Sequence, residues 1–135
     1  MDDIKLDRRY DWVGPPDKTS KIRPIRLRRV DNESNEEEAY RRARQDLSEW
    51  NSAFWKYHNE LFESKKADFV AKKKQSLGRL GQVSTADMSV FYKDFLNERA
   101  SYLRAYNNEW YKKNFALIKP AIRVNLIRFL RLFKR

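Results

Sequence analysis

His58 is the chain's one imidazole and the first place to look for chemistry. The chain has 135 residues, no cysteine and two methionines, which excludes disulfides, thiolate metal sites and a cysteine nucleophile. His58 could coordinate haem, although a surface or boundary position is the commoner role for a lone histidine. The carboxylates lie beside Lys and Arg and form no recognisable catalytic pair or triad. The sequence therefore predicts a protein that is not an enzyme and has no cofactor or metal, with haem binding by His58 as the alternative.

Residues 11–18 form a second candidate site. Pro15 and Pro16 fix φ and remove two backbone donors, while Gly14 gives a permissive backbone. This composition predicts a rigid, extended segment that binds a partner, places Trp12 on the protein's own helices, or does both. Further along, Ile25 and Leu27 alternate with Arg, which permits a short strand that would need a partner strand. The residues predicted here to bind a partner are Asp11, Trp12, Gly14, Pro15, Pro16, Asp17, Lys18, Arg23 and Pro24.

The net charge of +11 is concentrated at the two ends of the chain. Residues 1–30 have nine Lys or Arg against five Asp, residues 31–110 have thirteen against fourteen acids, and residues 111–135 have eight against none. A neutral body with basic ends favours an anionic surface such as phospholipid headgroups over a uniformly basic nucleic-acid module. No stretch of ~20 residues is apolar enough to span a bilayer.

A first long helix is predicted to begin at the capping-box pattern of Ser34 and Glu37. Its apolar residues recur at spacings of four and three and are predicted to form the core: Ala43, Leu47, Trp50, Phe54, Tyr57 and Leu61. Phe62 and Phe69 continue a neighbouring stripe. Trp55 adjoins the core stripe without belonging to it, so it is either a partner-binding residue or a half-buried boundary residue.

A second long helix is predicted to begin at Ser84 and Asp87. Its apolar residues then recur at helical spacing up to Phe115: Met88, Phe91, Phe95, Tyr102 or Leu103, Tyr106 and Trp110. Because a short glycine-containing turn, residues 77–81, joins two helices of similar length, the sequence predicts an antiparallel helical hairpin. Trp110 and Tyr111 are further partner-binding candidates.

The sequence after Pro120 predicts a basic amphipathic helix, and Pro120 itself either kinks the second helix or begins this third one. One face has Ile122, Leu126, Phe129, Leu130 and Phe133, and the other has Arg123, Arg128, Arg131, Lys134 and Arg135. This pattern is typical of a helix on a membrane surface. Docking of the apolar face on the hairpin, and RNA binding, are the alternatives. The residues predicted to bind membrane are Lys119, Ile122, Arg123, Leu126, Arg128, Phe129, Arg131, Phe133, Lys134 and Arg135.

Five sequence blocks in a fixed order support a family resemblance over about residues 11–118. The blocks are residues 11–18, Glu49-Trp50-Asn51, Phe54-Trp55, Phe91-Tyr92-Lys93 and residues 106–115. Together they resemble the apoptogenic protein, or cytochrome c oxidase assembly factor 8, family of mitochondrial proteins. The resemblance implies a non-catalytic factor that supports cytochrome c oxidase biogenesis on the matrix side of the inner membrane. Members of the family carry a cleavable leader, whereas Met1-Asp2-Asp3 is acidic and lacks the Arg- and Ser-rich composition of one.

The predicted fold is all-α: an extended N-terminal arm over residues 1–32, a long antiparallel helical hairpin over 33–118, and a short basic amphipathic helix over 119–135. The predicted partners are cytochrome c oxidase subunits or assembly intermediates and anionic inner-membrane lipid. Two other functions stay open: a haem-handling protein that uses His58, and an RNA-associated mitochondrial factor. Nucleic acid is not expected as a partner, because the C-terminal helix shows charge without a defined basic groove or exposed stacking aromatics.

Overall fold

The computed structural model describes residues 7–134 and is mainly helical, as predicted. Two short strands come first, β1 (Trp12–Val13) and β2 (Ile25–Arg26). Three helices follow: α1 (Asn35–Leu77), α2 (Thr85–Ala116) and α3 (Ile118–Leu132). The first three residues, which bear on the leader, and Arg135, a predicted membrane-binding residue, lie outside the described residues.

Both long helices begin at the predicted capping boxes. The Ser34 hydroxyl accepts a hydrogen bond from the Glu37 backbone N–H at 3.2 Å, and the Glu37 carboxylate accepts one from the Ser34 backbone N–H at 3.3 Å. Ser84 and Asp87 make the same reciprocal pair at the start of α2. α1 is capped at its C-terminal end by Gly78, whose φ of +80° is a conformation that residues with a Cβ rarely adopt. Local sequence therefore fixes where these helices start and where α1 stops.

The contacts between α1 and α2 run in antiparallel order and are mostly aromatic. Phe69 meets Phe91, Phe62 meets Phe95 and Trp50 meets Tyr106, with ring centroids 5.2 Å apart in each pair. Later residues of α1 contact earlier residues of α2, which is the order expected of two antiparallel helices. Phe91, Phe95 and Tyr106 are buried by these contacts and form the centre of the core.

Tyr57 is not a core residue, which corrects one position of the predicted apolar stripe. Its side chain is 59% exposed, whereas the neighbouring His58 is buried. Buried and half-buried positions advance by four from Phe54 to His58 and Phe62, because residues four apart lie on one face of a 3.6-residue helix. On α2, Leu103 is half-buried and Tyr102 is exposed, so Leu103 is the inward residue of the two proposed alternatives.

The all-α prediction fits most of the chain, but the N-terminal arm, predicted to be extended, folds back on itself as a small two-stranded sheet. β1 and β2 pair antiparallel, with Trp12 opposite Arg26 and Val13 opposite Ile25. Asp17 closes the loop between them, because its carboxylate accepts the backbone N–H groups of Thr19 and Ser20. The strand that needed a partner found it in the same segment. We call residues 7–32 the N-terminal lobe.

The N-terminal lobe packs on α1 through polar contacts. Asn59 donates to the Thr19 carbonyl at 2.8 Å, and the Ser52 hydroxyl donates to the Ser20 hydroxyl at 3.0 Å. Gln45 accepts from the Leu27 backbone N–H at 3.2 Å. The lobe is thus held along α1 between Gln45 and Asn59.

α3 is a separate helix and contacts both α1 and α2. Leu117 separates it from α2, and Pro120 is its third residue. Pro120 therefore lies in the first turn, where its missing N–H leaves no helical hydrogen bond unmade. Of the two alternatives, Pro120 belongs to the start of a third helix. Within residues 7–134, no helix has the length and apolar character needed to cross a membrane.

Candidate functional site

α3 docks on α1 through part of its basic side. Val124 is the buried residue of the helix, with 1% of its surface exposed. At about 100° per residue, Arg128 and Arg131 lie within roughly 40° of Val124 on the same side. Arg128 Nε lies 3.4 Å from a Glu37 carboxylate oxygen, and Arg131 Nη2 bonds the other oxygen. The two arginines predicted to face lipid thus face the first turn of α1.

Glu37 is the anion that holds this contact together. Its side chain has no exposed surface. Burial acts to raise the pKa of Glu37, but hydrogen bonds from Arg131, the Ser34 backbone and Arg128 outweigh it, and the pKa is lowered. The carboxylate is therefore ionised at neutral pH and needs its cationic partners, since an unpaired buried charge is strongly destabilising.

The opposite side of α3 is apolar and open. Its five predicted apolar residues are between 52% and 72% exposed, and we call them the outward face: Ile122, Leu126, Phe129, Leu130 and Phe133. The alternative in which this face docks on the hairpin is wrong, because the Val124 side docks instead. Lys119 and Arg123 are also exposed on α3, and Lys134 is exposed just beyond its C-terminal end.

Several residues of the predicted partner-binding block have structural roles inside the N-terminal lobe. A Cβ on Gly14 would lie 2.4 Å from the Trp12 ring, so only glycine lets that ring lie over the backbone. The Asp11 carboxylate accepts the Arg28 backbone N–H at 2.7 Å, and Arg23 donates to the Gly14 carbonyl at 3.2 Å. Asp17 closes the loop described above, Trp12 and Pro24 are half-buried, and Pro15, Pro16 and Lys18 are exposed.

The candidate aromatics of the long helices fall into two groups. Trp55 is half-buried, and its indole N–H donates to the Tyr106 hydroxyl at 3.0 Å. Tyr106 in turn donates to Asn51, so its hydroxyl joins α1 to α2. Trp110 and Tyr111 are exposed and lie edge to face with centroids 5.2 Å apart. The structure therefore leaves Trp110 and Tyr111, but not Trp55, open to a partner.

His58 is a core histidine. Its ring lies against Phe54, Trp55 and Phe95, and its Nδ1 accepts a hydrogen bond from Arg99 at 3.4 Å. Burial, assisted by the Arg99 charge, lowers the pKa of His58, so the ring is neutral at pH 7. Haem coordination would require the two helices to separate. Elsewhere in residues 7–134, no three His, Asp or Glu side chains are placed to share a metal ion.

A sequence model of the cytochrome c oxidase assembly factor 8 family matches residues 10–130 of this chain. The chain belongs to that family. The match begins just before β1 and ends inside α3, so it includes nearly all of the N-terminal lobe and the helices.

Curated members of the cytochrome c oxidase assembly factor 8 family are similar over most of the chain. A family protein from Caenorhabditis elegans, labelled mitochondrial, is 57% identical over 98% of this chain and 93% of its own length. A Drosophila melanogaster member, also labelled mitochondrial, is 38% identical over 93% of this chain and 70% of its own length. Human cytochrome c oxidase assembly factor 8 is 38% identical over 80% of this chain and 56% of its own length. No solved structure matches the chain.

In this member of the family, sequence reasoning missed the second role of Glu37. The sequence around Glu37 indicates a helix cap, and its pairing with arginines 91 and 94 positions later carries no local signal. Complementary charge was the one available hint, because residues 111–135 contain no acid and the first turn of α1 contains three. The spacing of Arg99 and Tyr106 likewise gives no sign that they are the partners of His58 and Trp55.

Proposed function

We propose that this protein is a non-catalytic mitochondrial assembly factor for cytochrome c oxidase that works as a peripheral protein on the matrix face of the inner membrane. Family membership supports a role in cytochrome c oxidase assembly, because relatives carry the name cytochrome c oxidase assembly factor 8. It also supports a mitochondrial location, because the nematode and fly members are labelled mitochondrial. The single observation that carries the membrane attachment is the orientation of α3, whose apolar side points away from the protein.

The outward face has the properties of an interfacial helix. Water-soluble proteins seldom leave several large apolar side chains together on one exposed face unless something covers them. Lys119 and Arg123 lie on the same helix and Lys134 lies just after it, and each cation near an anionic leaflet contributes about 1 kcal/mol. Apolar burial and cation attraction act together in this binding mode. An anionic lipid surface therefore satisfies both features of the helix.

Two exposed groups are proposed to bind an oxidase subunit or assembly intermediate. Pro15, Pro16 and Lys18 project from the N-terminal lobe, whose loop is held by Asp17. Trp110 and Tyr111 lie near the end of α2. Prolines and aromatic side chains lose little conformational entropy when a partner covers them, which favours recognition by these residues.

The membrane proposal is tested by changing the outward face without changing charge. We expect Phe129→Ser with Phe133→Ser to reduce sedimentation with cardiolipin-containing vesicles at least tenfold, since neither aromatic ring supports the fold. The matched control is Leu80→Ser with Val90→Ser, which removes two exposed apolar side chains from the turn and from α2. Equal vesicle binding by the two double variants would show that the outward face does not bind lipid. Circular dichroism checks that both variants keep their helices.

A further inference from the structure

A cleft lined by arginines lies where the N-terminal lobe, α1 and α3 meet. It has two adjoining parts, which share Leu27 and Arg41. The larger part has a volume of about 240 Å³ and is lined by Arg8, Arg26 and Arg29 beside Tyr10 and Trp12. The smaller part, of about 50 Å³, is lined by Arg28, Arg44 and Arg128. We call the whole the arginine cleft.

The fold of the N-terminal lobe brings these like charges together. The Arg29 backbone N–H donates to the Arg8 carbonyl at 2.9 Å, which places two arginines that are far apart in the sequence side by side in the fold. The Asp11 carboxylate accepts the Arg28 backbone N–H, and Arg26 lies opposite Trp12 in the strand pair. Bringing cations together costs free energy, and a bound anion would offset that cost.

Some of the arginines are already neutralised by carboxylates. Arg41 is buried and makes two 3.0 Å hydrogen bonds to Glu33. Arg128 pairs with Glu37, and Arg26 lies 3.8 Å from Glu49. Two aspartates also line the cleft: Asp7, which is engaged by Arg9, and Asp11, which accepts the Arg28 backbone N–H. The protein's own acids thus account for Arg26, Arg41 and Arg128.

Four arginines of the cleft have no such partner. Between residues 7 and 134, no carboxylate oxygen lies within ion-pair distance of Arg8, Arg28, Arg29 or Arg44. They come from both halves of the N-terminal lobe and from α1, so they approach the cleft from different directions. The cleft is therefore a concave, cationic surface with unused hydrogen-bond donors.

We propose that the arginine cleft binds a phosphate group. Its cations are all Arg and never Lys, and the planar guanidinium is the side chain that bonds phosphate through two parallel N–H donors. A phosphate group has three terminal acceptor oxygens, one more than a carboxylate, and guanidinium forks from several directions can share them. Leu27 and Trp12 form an apolar part of the cleft wall, which limits hydration of the bound anion. The phosphate comes from a lipid headgroup or from a soluble phosphate compound.

The proposal is tested on the full chain with inorganic pyrophosphate, measured by calorimetry at pH 7 without vesicles. We expect Arg8→Gln with Arg29→Gln to weaken pyrophosphate binding at least about tenfold, because charge-assisted hydrogen bonds are lost. The control, Arg79→Gln with Arg104→Gln, removes the same charge from the turn and from α2 and should stay within about twofold of the unaltered protein. Neither pair should shift the thermal midpoint.

Equal weakening by the two double variants would overturn the proposal, since it would show diffuse attraction by net charge. Absence of detectable binding at millimolar pyrophosphate, or equal binding of glutarate, would also overturn it.

Vesicles of phosphatidylcholine with phosphatidylglycerol, compared with soluble glycerol phosphate, identify the source of the phosphate. If binding of either the vesicles or the soluble glycerol phosphate depends on Arg8 and Arg29, the proposal is supported. Binding of an RNA oligonucleotide through these arginines, without pyrophosphate binding, would contradict it. The pyrophosphate measurement without vesicles does not depend on whether the outward face of α3 binds membrane.

Discussion

At the scale of single residues, Glu37 combines two jobs in one carboxylate. It closes the capping box at the start of α1 and accepts hydrogen bonds from Arg128 and Arg131 of α3. The positive end of the helix dipole favours a negative charge at this position as well. The first turn of α1 therefore also anchors the last helix of the chain.

We expect Glu37→Gln to lower the free energy of unfolding by about 2 kcal/mol, because it removes the charge that pairs two arginines while keeping a cap acceptor. Urea denaturation measures the change. Glu36→Gln is the matched control, since it makes the same charge change at the neighbouring, exposed residue. Equal midpoints for the two variants would mean that the arginine contacts contribute nothing to stability.

His58 gives the protein a pH-dependent stability. Burial and Arg99 lower its pKa in the folded state below the ordinary value of about 6.5, so the unfolded chain binds a proton more readily. Stability from the neutral ring is present above pH 6.5 and falls as the pH drops below it toward the folded pKa. The urea midpoint of the unaltered protein should therefore fall as the pH is lowered from 7.5 to 5.5. His58→Gln should show a smaller fall, and parallel profiles would exclude His58 as the cause.

At the scale of elements, α3 separates its cations into two groups. Arg128 and Arg131 pair with Glu37, whereas Lys119 and Arg123 are exposed and have no ion pair within residues 7–134. The helix is amphipathic as its sequence predicts, but part of the basic side is used to hold the fold. Replacing basic residues of α3 without regard to this division would mix two effects.

We expect two double charge reversals on α3 to have different results. Arg128→Glu with Arg131→Glu should lower the urea midpoint, because it places like charges against the buried Glu37. Lys119→Glu with Arg123→Glu changes the net charge equally but should leave the midpoint unchanged and weaken vesicle binding at least about tenfold at low salt. Loss of stability in both variants, or in neither, would contradict this division of roles.

At the scale of the whole molecule, the N-terminal lobe is part of the folded body and also exposes a proline pair. Its contacts with Ser52, Asn59 and Gln45 hold it on α1, so Pro15 and Pro16 are presented from a fixed position. The lobe, the helical pair and α3 each expose one of the proposed contact groups: the prolines, Trp110 with Tyr111, and the outward face.

We expect Pro15→Ala with Pro16→Ala to reduce the amount of assembled cytochrome c oxidase in cells that depend on this protein, while helix content is retained. The change loosens the exposed loop without removing a large contact side chain. Oxidase content on native gels measures the effect. Val13→Ala serves as the control, because it trims an exposed side chain of β1 outside the proline pair. Normal oxidase content in the proline variant would remove this loop from the proposed partner surface.

The sequence alone determined features that depend on neighbours along the chain. Both helix starts follow from the Ser34 and Ser84 caps, the end of α1 follows from Gly78, and the two faces of α3 follow from residue spacing. Caps and periodicity are local, so they are visible without a structure. The family resemblance was visible for a similar reason, since its blocks are short and ordered.

Only the tertiary structure decided which faces turn inward and which segments meet. The position of α2 decides that His58, and not Tyr57, is buried in the core. The pairing of β1 with β2 depends on how the loop after Pro16 closes. The docking of α3 through its arginines depends on Glu37, which lies 91 positions away from Arg128. Burial of a carboxylate makes its cationic partners necessary, and that requirement decided which side of α3 stays open.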